Sequence, residues 1–155
     1  MTGTLYAAYG SNLNRARMAA RCPTARVVGA GAIKDRRLLF RGSRAGAVAT
    51  VEPCKGDSVP VLVWSLTPAD EAALDRYEGF PTLYRKEKVS IRLDGKSVRA
   101  MIYVMNEGYA MGQPGALYYS IIRDGYKEAG FDLEVLRRAT VFSAETDATA
   151  TVETR

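Results

Sequence analysis

Two short segments of this sequence carry residues that could bind an anion and transfer a proton. The first is Tyr9-Gly10-Ser11-Asn12-Leu13, which lies between an apolar strand pattern and a helical pattern. A strand that passes into a helix through a glycine and two small polar residues presents backbone N–H groups. The positive end of the helix then favours a carboxylate, phosphate or oxyanion. Gly-Ser-Asn is also an ordinary turn and cap sequence, so this segment alone leaves both interpretations open.

The second segment places Glu78 at the end of a predicted helix. Thr67 is a typical N-cap, Pro68 a typical first helical residue, and Gly79 and Pro81 end the pattern. Glu78 therefore lies in the last turn, where the helix dipole disfavours a carboxylate. It falls at the edge of the apolar stripe, so partial burial and the dipole would both raise its pKa, as suits a general acid or base. An exposed glutamate at a fraying helix end is the alternative.

The composition limits the chemistry, because the sequence contains no histidine. Triads of the Ser-His-Asp and Cys-His type are excluded, as are the usual zinc and non-haem iron sites. Cys22 and Cys54 are too few for a disulfide framework and lack redox spacing, so we interpret both as inert. Catalysis would depend on carboxylates, phenols, amides and backbone dipoles, and we predict no metal and no cofactor.

These segments, with further residues in order along the chain, resemble the γ-glutamylcyclotransferase family. The resemblance runs from about Leu5 to Arg138 and lies in the order and spacing of its motifs. The matching residues are Tyr6-Ala7-Ala8-Tyr9-Gly10-Ser11-Asn12-Leu13, Val63-Trp64, Leu74-Asp75-Arg76-Tyr77-Glu78-Gly79, Tyr84, Tyr103, and Tyr118 to Ile122 followed by Gly125, Glu128 and Gly130.

The resemblance implies a reaction and a set of site residues. Members of the family cleave γ-glutamyl amides by internal cyclisation, releasing 5-oxoproline and a free amine, and use one glutamate as acid/base. By resemblance that glutamate is Glu78. The residues expected to bind the small-molecule γ-glutamyl substrate are Tyr9, Gly10, Ser11, Asn12, Leu13, Tyr84, Tyr103 and Tyr118. The Tyr-Gly-Ser-Asn order resembles the branch that acts on γ-glutamyl amino acids.

Other functions remain open. The same chemistry could release a polyamine, an isopeptide product or a γ-glutamyl-protected natural product. A non-catalytic protein that binds a small molecule or nucleic acid is the rival class, because residues 1–51 hold eight arginines and Lys34 against Asp35, within a net charge of +5. Stacking aromatics are not interleaved with these basic residues, and no helix-turn-helix or zinc pattern appears. We therefore expect a solvated basic face rather than nucleic-acid binding.

Short predicted strands with helices outside them must position these residues, and this pattern indicates an α+β fold. We expect a small mixed β-barrel with flanking helices, as the resemblance to γ-glutamylcyclotransferases also implies. The chain of 155 residues is expected to form one domain over 1–142 with a polar tail over 143–155, which could instead pack as a strand over Thr149–Thr154. Predicted strands cover 5–9, 36–41, 47–52, 60–66, 84–93 and 97–105, and predicted helices cover 14–21, 68–78, 115–129 and 133–140.

Asp94-Gly95, between two alternating runs, predicts a two-residue hairpin. This register places Tyr84 opposite Met105 and diagonal to Tyr103, so that both tyrosines share one face and could line one pocket. The segment 106–115 contains three glycines and a proline and is predicted as a loop. It is placed either to cover the pocket or to serve as a surface connection.

Hydropathy gives no membrane signal, since no apolar run approaches the roughly 20 residues of a spanning helix. No charged segment followed by a long apolar one precedes Tyr6. We accordingly predict a cytoplasmic protein that is a monomer or a homodimer.

Overall fold

A computed structural model of the protein describes residues 3–153, with side chains described for residues 3–144. This part of the chain forms a mixed α+β fold, which confirms the predicted class. Its strands are β1 (Thr4–Ala8), β2 (Arg26–Arg41), β3 (Val48–Leu66), β4 (Tyr84–Leu93) and β5 (Lys96–Met105), and its helices are α1 (Arg15–Arg21), α2 (Pro68–Glu78), α3 (Ala116–Ala129) and α4 (Leu133–Glu153). A single turn of 3₁₀ helix, Ser11–Leu13, lies between β1 and α1.

The five strands form one mixed sheet in the order β2-β3-β1-β5-β4. The central strand β1 runs antiparallel to β3, with Ala8 opposite Leu62, and parallel to β5, with Tyr6 opposite Met101. Apolar side chains of the sheet, α1, α3 and α4 share one buried core. The polypeptide that leaves the end of β1 is therefore held between strands on both sides.

The predicted small mixed β-barrel is not confirmed, because the sheet is not closed. Strands β2 and β4 are the two edges of the order, and no backbone ladder joins them within the described residues. The edges meet through side chains instead. A Cβ on Gly31 of β2 would lie 2.6 Å from Ile91 Cγ2 of β4, and Arg36 donates to Glu87 across the gap at 3.0 Å. The sheet is strongly curved but open.

The β4–β5 hairpin has the predicted turn and register. Asp94 and Gly95 have φ values of 50° and 77°, the positive φ at both positions that a type I′ turn requires. Tyr84 pairs with Met105, and the pairing continues to the turn. The prediction succeeded because a two-residue turn fixes the register of both strands.

Strands β2 and β3 are much longer than predicted. Residues 26–35 belong to β2, and the two strands predicted over 47–52 and 60–66 are one continuous strand. Small residues over 29–32 conceal the alternation in β2, and Pro53 is of a residue type that is rare inside strands. Pro53 is tolerated because it pairs with Arg36 next to a register shift, where a proline does not interrupt a regular ladder.

Helix α4 continues past residue 142, where the domain was predicted to end. Ser143, predicted to begin the polar tail, is fully buried. Its hydroxyl accepts from the backbone N–H of Phe40 at 3.0 Å and donates to the Ala139 carbonyl at 2.9 Å. The alternative strand over Thr149–Thr154 is wrong as far as Glu153, which is helical, and Thr154 lies outside the described residues. None of the helices in residues 3–153 combines the length and apolar character needed to cross a membrane.

Candidate active site

A cavity of about 210 Å³ opens where the chain leaves β1. Its walls come from the 3₁₀ turn, α1, the last turn of α2, and residues of β3, β4, β5 and α3. The structure brings eight of the nine predicted site residues to this one cavity, namely Tyr9, Gly10, Ser11, Asn12, Glu78, Tyr84, Tyr103 and Tyr118. Segments far apart in the sequence thus converge on a single site.

The turn after β1 is shaped by its own backbone hydrogen bonds. Leu13 N donates to Gly10 O at 3.0 Å, and Asn14 N donates to Ser11 O at 3.1 Å. Asn14 then caps α1, because its side-chain oxygen accepts from Arg17 N at 3.1 Å. The first N–H groups of a helical turn have no acceptor within the turn. The backbone N–H of Ser11 has no acceptor among the described residues, so it is available to an anion in the cavity.

The structure does not bring Leu13, the ninth predicted residue, to the cavity. Its side chain is fully buried in the core. It packs against α3 at Gly125, where a Cβ would lie 2.7 Å from Leu13 Cβ and 2.9 Å from Asn14 N. Leu13 therefore anchors the turn to α3 from behind.

The ends of α2 determine where Glu78 lies. Thr67 and Asp70 form a reciprocal capping box, with Asp70 N donating to Thr67 Oγ1 at 3.2 Å and Thr67 N donating to Asp70 Oδ2 at 3.1 Å. Gly79 ends the helix in the left-handed conformation at φ 64°. Both ends are thus fixed, and the last helical residue, Glu78, faces the cavity.

The Glu78 carboxyl is half-buried and unpaired. No hydrogen bond or ion pair holds it within the described part of the chain. Burial raises the pKa of Glu78 to about 7, although the charges of Arg21 and Arg17 act in the opposite direction. A carboxyl with this pKa has both its protonation states populated at neutral pH, so it can accept a proton and return it.

Three of the cavity tyrosines have their hydroxyl protons committed to the protein. Tyr9 donates to the Tyr103 carbonyl at 2.5 Å, Tyr84 donates to the Ala49 carbonyl at 2.6 Å, and Tyr103 donates to Asp75 Oδ1 at 2.7 Å. Burial raises the pKa of all three phenols. They are neutral at physiological pH and form walls of fixed geometry.

Two other tyrosines accept hydrogen bonds and retain a proton to donate. Tyr118 Oη accepts from Ala49 N at 3.0 Å, and Tyr6 Oη accepts from Asn12 Nδ2 at 3.0 Å. Neither hydroxyl donates to another group among the described residues. Burial raises the pKa of Tyr118 to about 12 and raises that of Tyr6 further, so both are neutral donors. Each could donate to an oxygen of a bound molecule.

Two arginines of α1 give the cavity its cationic side. Arg17 and Arg21 are four residues apart and share one face of the helix. Arg21 Nη1 donates to Asn12 Oδ1 at 3.0 Å, and its guanidinium lies 4.4 Å from the centre of the Tyr77 ring. Arg17 Nε is buried without a hydrogen-bond partner. Burial, and then the charge of Arg21, lower the pKa of Arg17.

Sequence reasoning missed part of the lining. The additional lining residues are Tyr6, Arg17, Arg21, Val48, Ala49, Tyr77 and Leu83. The two arginines could have been found, because a four-residue spacing directly after the turn places them on its side of α1. Val48 and Ala49 carried no local signal, since they reach the cavity through the pairing of distant strands.

Segment 106–115 does not cover the cavity, contrary to one of its two predicted roles. None of its residues lines the cavity among the described residues. Met111 forms a bridge with Arg41, and Gly112 N donates to Phe40 O at 3.2 Å. The segment is fastened to the end of β2 as a structural connection.

Comparisons with known proteins agree on one family. A family model described as "Gamma-glutamyl cyclotransferase, AIG2-like" matches residues 6–124. A protein named Gamma-glutamylcyclotransferase from Homo sapiens is 32% identical over 139 residues, covering 84% of this chain and 73% of that protein. The protein of the same name from Mus musculus is 32% identical over 140 residues, with the same coverage. A solved structure named "Gamma-glutamyl cyclotransferase" has a TM-score of 0.79 and 30% identity, and covers 88% of this chain and 85% of that one.

Proposed function

Since this chain belongs to the γ-glutamyl cyclotransferase, AIG2-like family, we propose that it converts a γ-glutamyl amino acid to 5-oxoproline and a free amino acid. The observation that carries this proposal is the unpaired carboxyl of Glu78 in a cavity that also holds the Gly10-Ser11-Asn12 turn. A half-buried carboxyl without a partner is costly to the fold. Such a group is typical of acid/base sites.

The substrate is positioned by two sets of donors. The α-carboxylate of the γ-glutamyl group binds the free N–H groups of the turn, which are suited to a standing negative charge. The α-amine then lies beside Glu78. The γ-carbonyl oxygen receives the free proton of Tyr118, and Tyr9, Tyr84 and Tyr103 hold the walls that orient the chain.

Glu78 acts twice in the reaction. Its ionised form accepts a proton from the α-ammonium, and the resulting amine attacks the γ-carbonyl carbon to form the ring C–N bond. Protonated Glu78 donates to the nitrogen of the scissile amide, whose C–N bond breaks. The remaining extra proton of the ring nitrogen passes to the released amine, which leaves as an ammonium. No water is consumed.

Positioning supplies most of the required acceleration in this scheme. The attacking amine and the carbonyl belong to one molecule, and a fixed conformer replaces an improbable collision. A single acid/base group adds about 10²–10⁴-fold. The chemistry needs only residue types that this cavity holds.

The test is a 5-oxoproline assay on the wild type, Glu78→Gln and the control Glu107→Gln, in which the changed residue is exposed outside the cavity. Glu78→Gln is expected to lose at least about 10²-fold in kcat, because glutamine cannot accept the proton. Glu107→Gln should match the wild type. A Glu78→Gln variant that retains more than a tenth of wild-type kcat would exclude Glu78 as the acid/base.

The substrate panel for this assay also identifies the leaving amine. It contains γ-glutamyl amino acids, γ-glutamylamines, a γ-glutamyl isopeptide and glutathione. If only the γ-glutamylamines or the isopeptide give 5-oxoproline, the proposed reaction is supported, but the leaving group is not an amino acid as proposed.

A further inference from the structure

A shallow groove between α1 and α3 adjoins the cavity and shares three residues with it. The shared residues are Arg17, Arg21 and Tyr77. Beyond them the groove is lined by Asn14, Ala16, Ala20 and Ile121. Alanines one helical turn apart and an isoleucine make this surface largely apolar. A molecule in the cavity can therefore continue past the arginines onto an apolar surface.

Arg17 stands at the junction of cavity and groove with a buried donor that lacks an acceptor. Its Nε makes no hydrogen bond, and no carboxylate pairs with it among the described residues. A buried charged donor without an acceptor costs more than an exposed one. A ligand carboxylate placed here would satisfy it through the bidentate geometry that guanidinium groups favour.

The charge balance of the cavity also favours an anionic ligand group. Glu78 is the one acid among the described lining residues, against the two arginines. Arg21 is already engaged with Asn12 and the Tyr77 ring, which leaves Arg17 as the uncommitted cation. A leaving group with a second ammonium, such as a polyamine, would meet like charges at this point.

We propose that the groove is the subsite for the leaving amino acid, whose carboxylate binds Arg17 and whose apolar side chain lies over Ala16, Ala20 and Ile121. This inference rests on the proposed cyclotransfer reaction. In this inference Arg17 and the groove select the leaving group. The proton transfers of Glu78 do not by themselves discriminate between leaving groups.

The test compares two substrates and two enzymes. The substrates are γ-glutamyl-leucine and γ-glutamyl-isoamylamine, which has the same carbon skeleton without the carboxylate, and the enzymes are the wild type and Arg17→Met. The wild type is expected to favour the leucine substrate in kcat/KM by about 10–100-fold, the usual size of a charge-assisted pair. Arg17→Met should lose that preference through a raised KM, with little change for the isoamylamine substrate.

Two further variants separate recognition from structure. Arg15→Met removes an exposed arginine from the same helix and should leave kcat/KM for both substrates unchanged. Ala20→Trp places a large side chain in the groove from an exposed helical position, and should reduce kcat/KM for γ-glutamyl-leucine more than for γ-glutamyl-glycine. Thermal unfolding of each variant checks that the fold is intact.

Three results would overturn this inference. Equal losses on both substrates in Arg17→Met would place Arg17 on the γ-glutamyl half. A wild type that prefers the isoamylamine substrate, or an Ala20→Trp variant that treats leucine and glycine alike, would remove the groove as the subsite. In each case 5-oxoproline is still formed. Absence of 5-oxoproline from every substrate would instead overturn the proposed function, and this inference with it.

Discussion

At the scale of single residues, Glu78 combines a cost to stability with its proposed role in catalysis. The carboxyl is half-buried, unpaired within the described chain, and has its pKa raised to about 7, principally by burial. A residue selected for stability alone would be paired or replaced by a neutral group. An unpaired, half-buried carboxyl is a feature of the kind that active sites retain at the expense of stability.

The first prediction concerns the stability of Glu78→Gln. Because burial raises the pKa of Glu78 in the folded state, the protonated carboxyl contributes to the free energy of unfolding. This contribution is complete below the ordinary pKa of 4.5 and is lost as the pH rises through about 7. Glutamine avoids that loss. The variant should therefore exceed the wild type in free energy of unfolding at pH 8 by at most about 3 kcal/mol, and match it near pH 4. Denaturant unfolding at the two pH values measures this, and equal stabilities at pH 8 would refute it.

The second prediction concerns the pH profile of activity. Because ionised Glu78 accepts the first proton in the proposed mechanism, kcat/KM should rise with pH with an apparent pKa near 7. The charge of Arg21 lowers the pKa of Glu78, so Arg21→Met should move this rise to higher pH. Steady-state kinetics from pH 5.5 to 9 give the profile. A shift to lower pH in Arg21→Met would contradict this electrostatic assignment.

At the scale of elements, the contact of α3 with the turn after β1 supports the backbone that we propose to bind the substrate carboxylate. Gly125 allows this contact, since any Cβ there would collide with Leu13 and the backbone N of Asn14. The same helix carries Tyr118 into the cavity. The position of α3 thus controls both the turn and a hydrogen-bond donor.

The third prediction follows from this contact. Gly125→Ala should destabilise the protein by about 1–3 kcal/mol, the usual cost of overpacking, and should lower kcat/KM because the turn and Tyr118 separate. Gly115→Ala is the matched control at the start of the same helix, where a Cβ meets nothing within 4 Å. Thermal unfolding and kinetics of both variants test the contact. Similar effects of the two changes would argue against it.

Local signals explain which elements could be predicted from sequence. The capped helix α2 and the Asp94-Gly95 hairpin are determined by neighbouring residues, and both have the predicted positions. The extra length of β2 and β3 depends on their pairing with each other, which small residues and Pro53 conceal in sequence. Helix α4 continues past its predicted end because Ser143 finds partners in β2 and in its own preceding turn.

The same distinction applies to the candidate site. Residues within the motifs reached the cavity as predicted, whereas Leu13 did not, because a motif does not reveal which of its side chains pack inward. The alternation of a strand or the cap of a helix shows how side chains point within that element. It does not show which other elements the side chains meet. Ala49 reaches the cavity solely through tertiary packing.

At the scale of the whole molecule, the excess of positive charge is partly neutralised by the fold. Arg36 pairs with Glu87 at 3.0 Å, and Arg41 pairs with Glu52 at 2.5 Å. Arginines that are close together in the sequence are thereby matched with acids from later strands. Three arginines of the basic segment, Arg36, Arg37 and Arg41, are thus paired with acids in the structure.

The fourth prediction is that the protein has no specific affinity for nucleic acid. Paired arginines make few contacts with phosphates and release few counterions, so binding should be weak and depend little on salt. A gel shift with duplex DNA and single-stranded RNA at about 0.15 M salt measures this. Binding in the nanomolar range would favour the rival function.

The central claim is that Glu78 drives internal cyclisation of a γ-glutamyl amide. Its most direct test is to run the reaction in ¹⁸O-labelled water and measure by mass spectrometry whether the γ-glutamyl group is released as 5-oxoproline or as glutamate. Cyclisation consumes no water, so the wild type should give unlabelled 5-oxoproline and the free amino acid, and Glu78→Gln should form them at least about 10²-fold more slowly. Labelled glutamate from the wild type would establish hydrolysis instead. Unlabelled 5-oxoproline formed by Glu78→Gln at more than a tenth of the wild-type rate would contradict the role of Glu78.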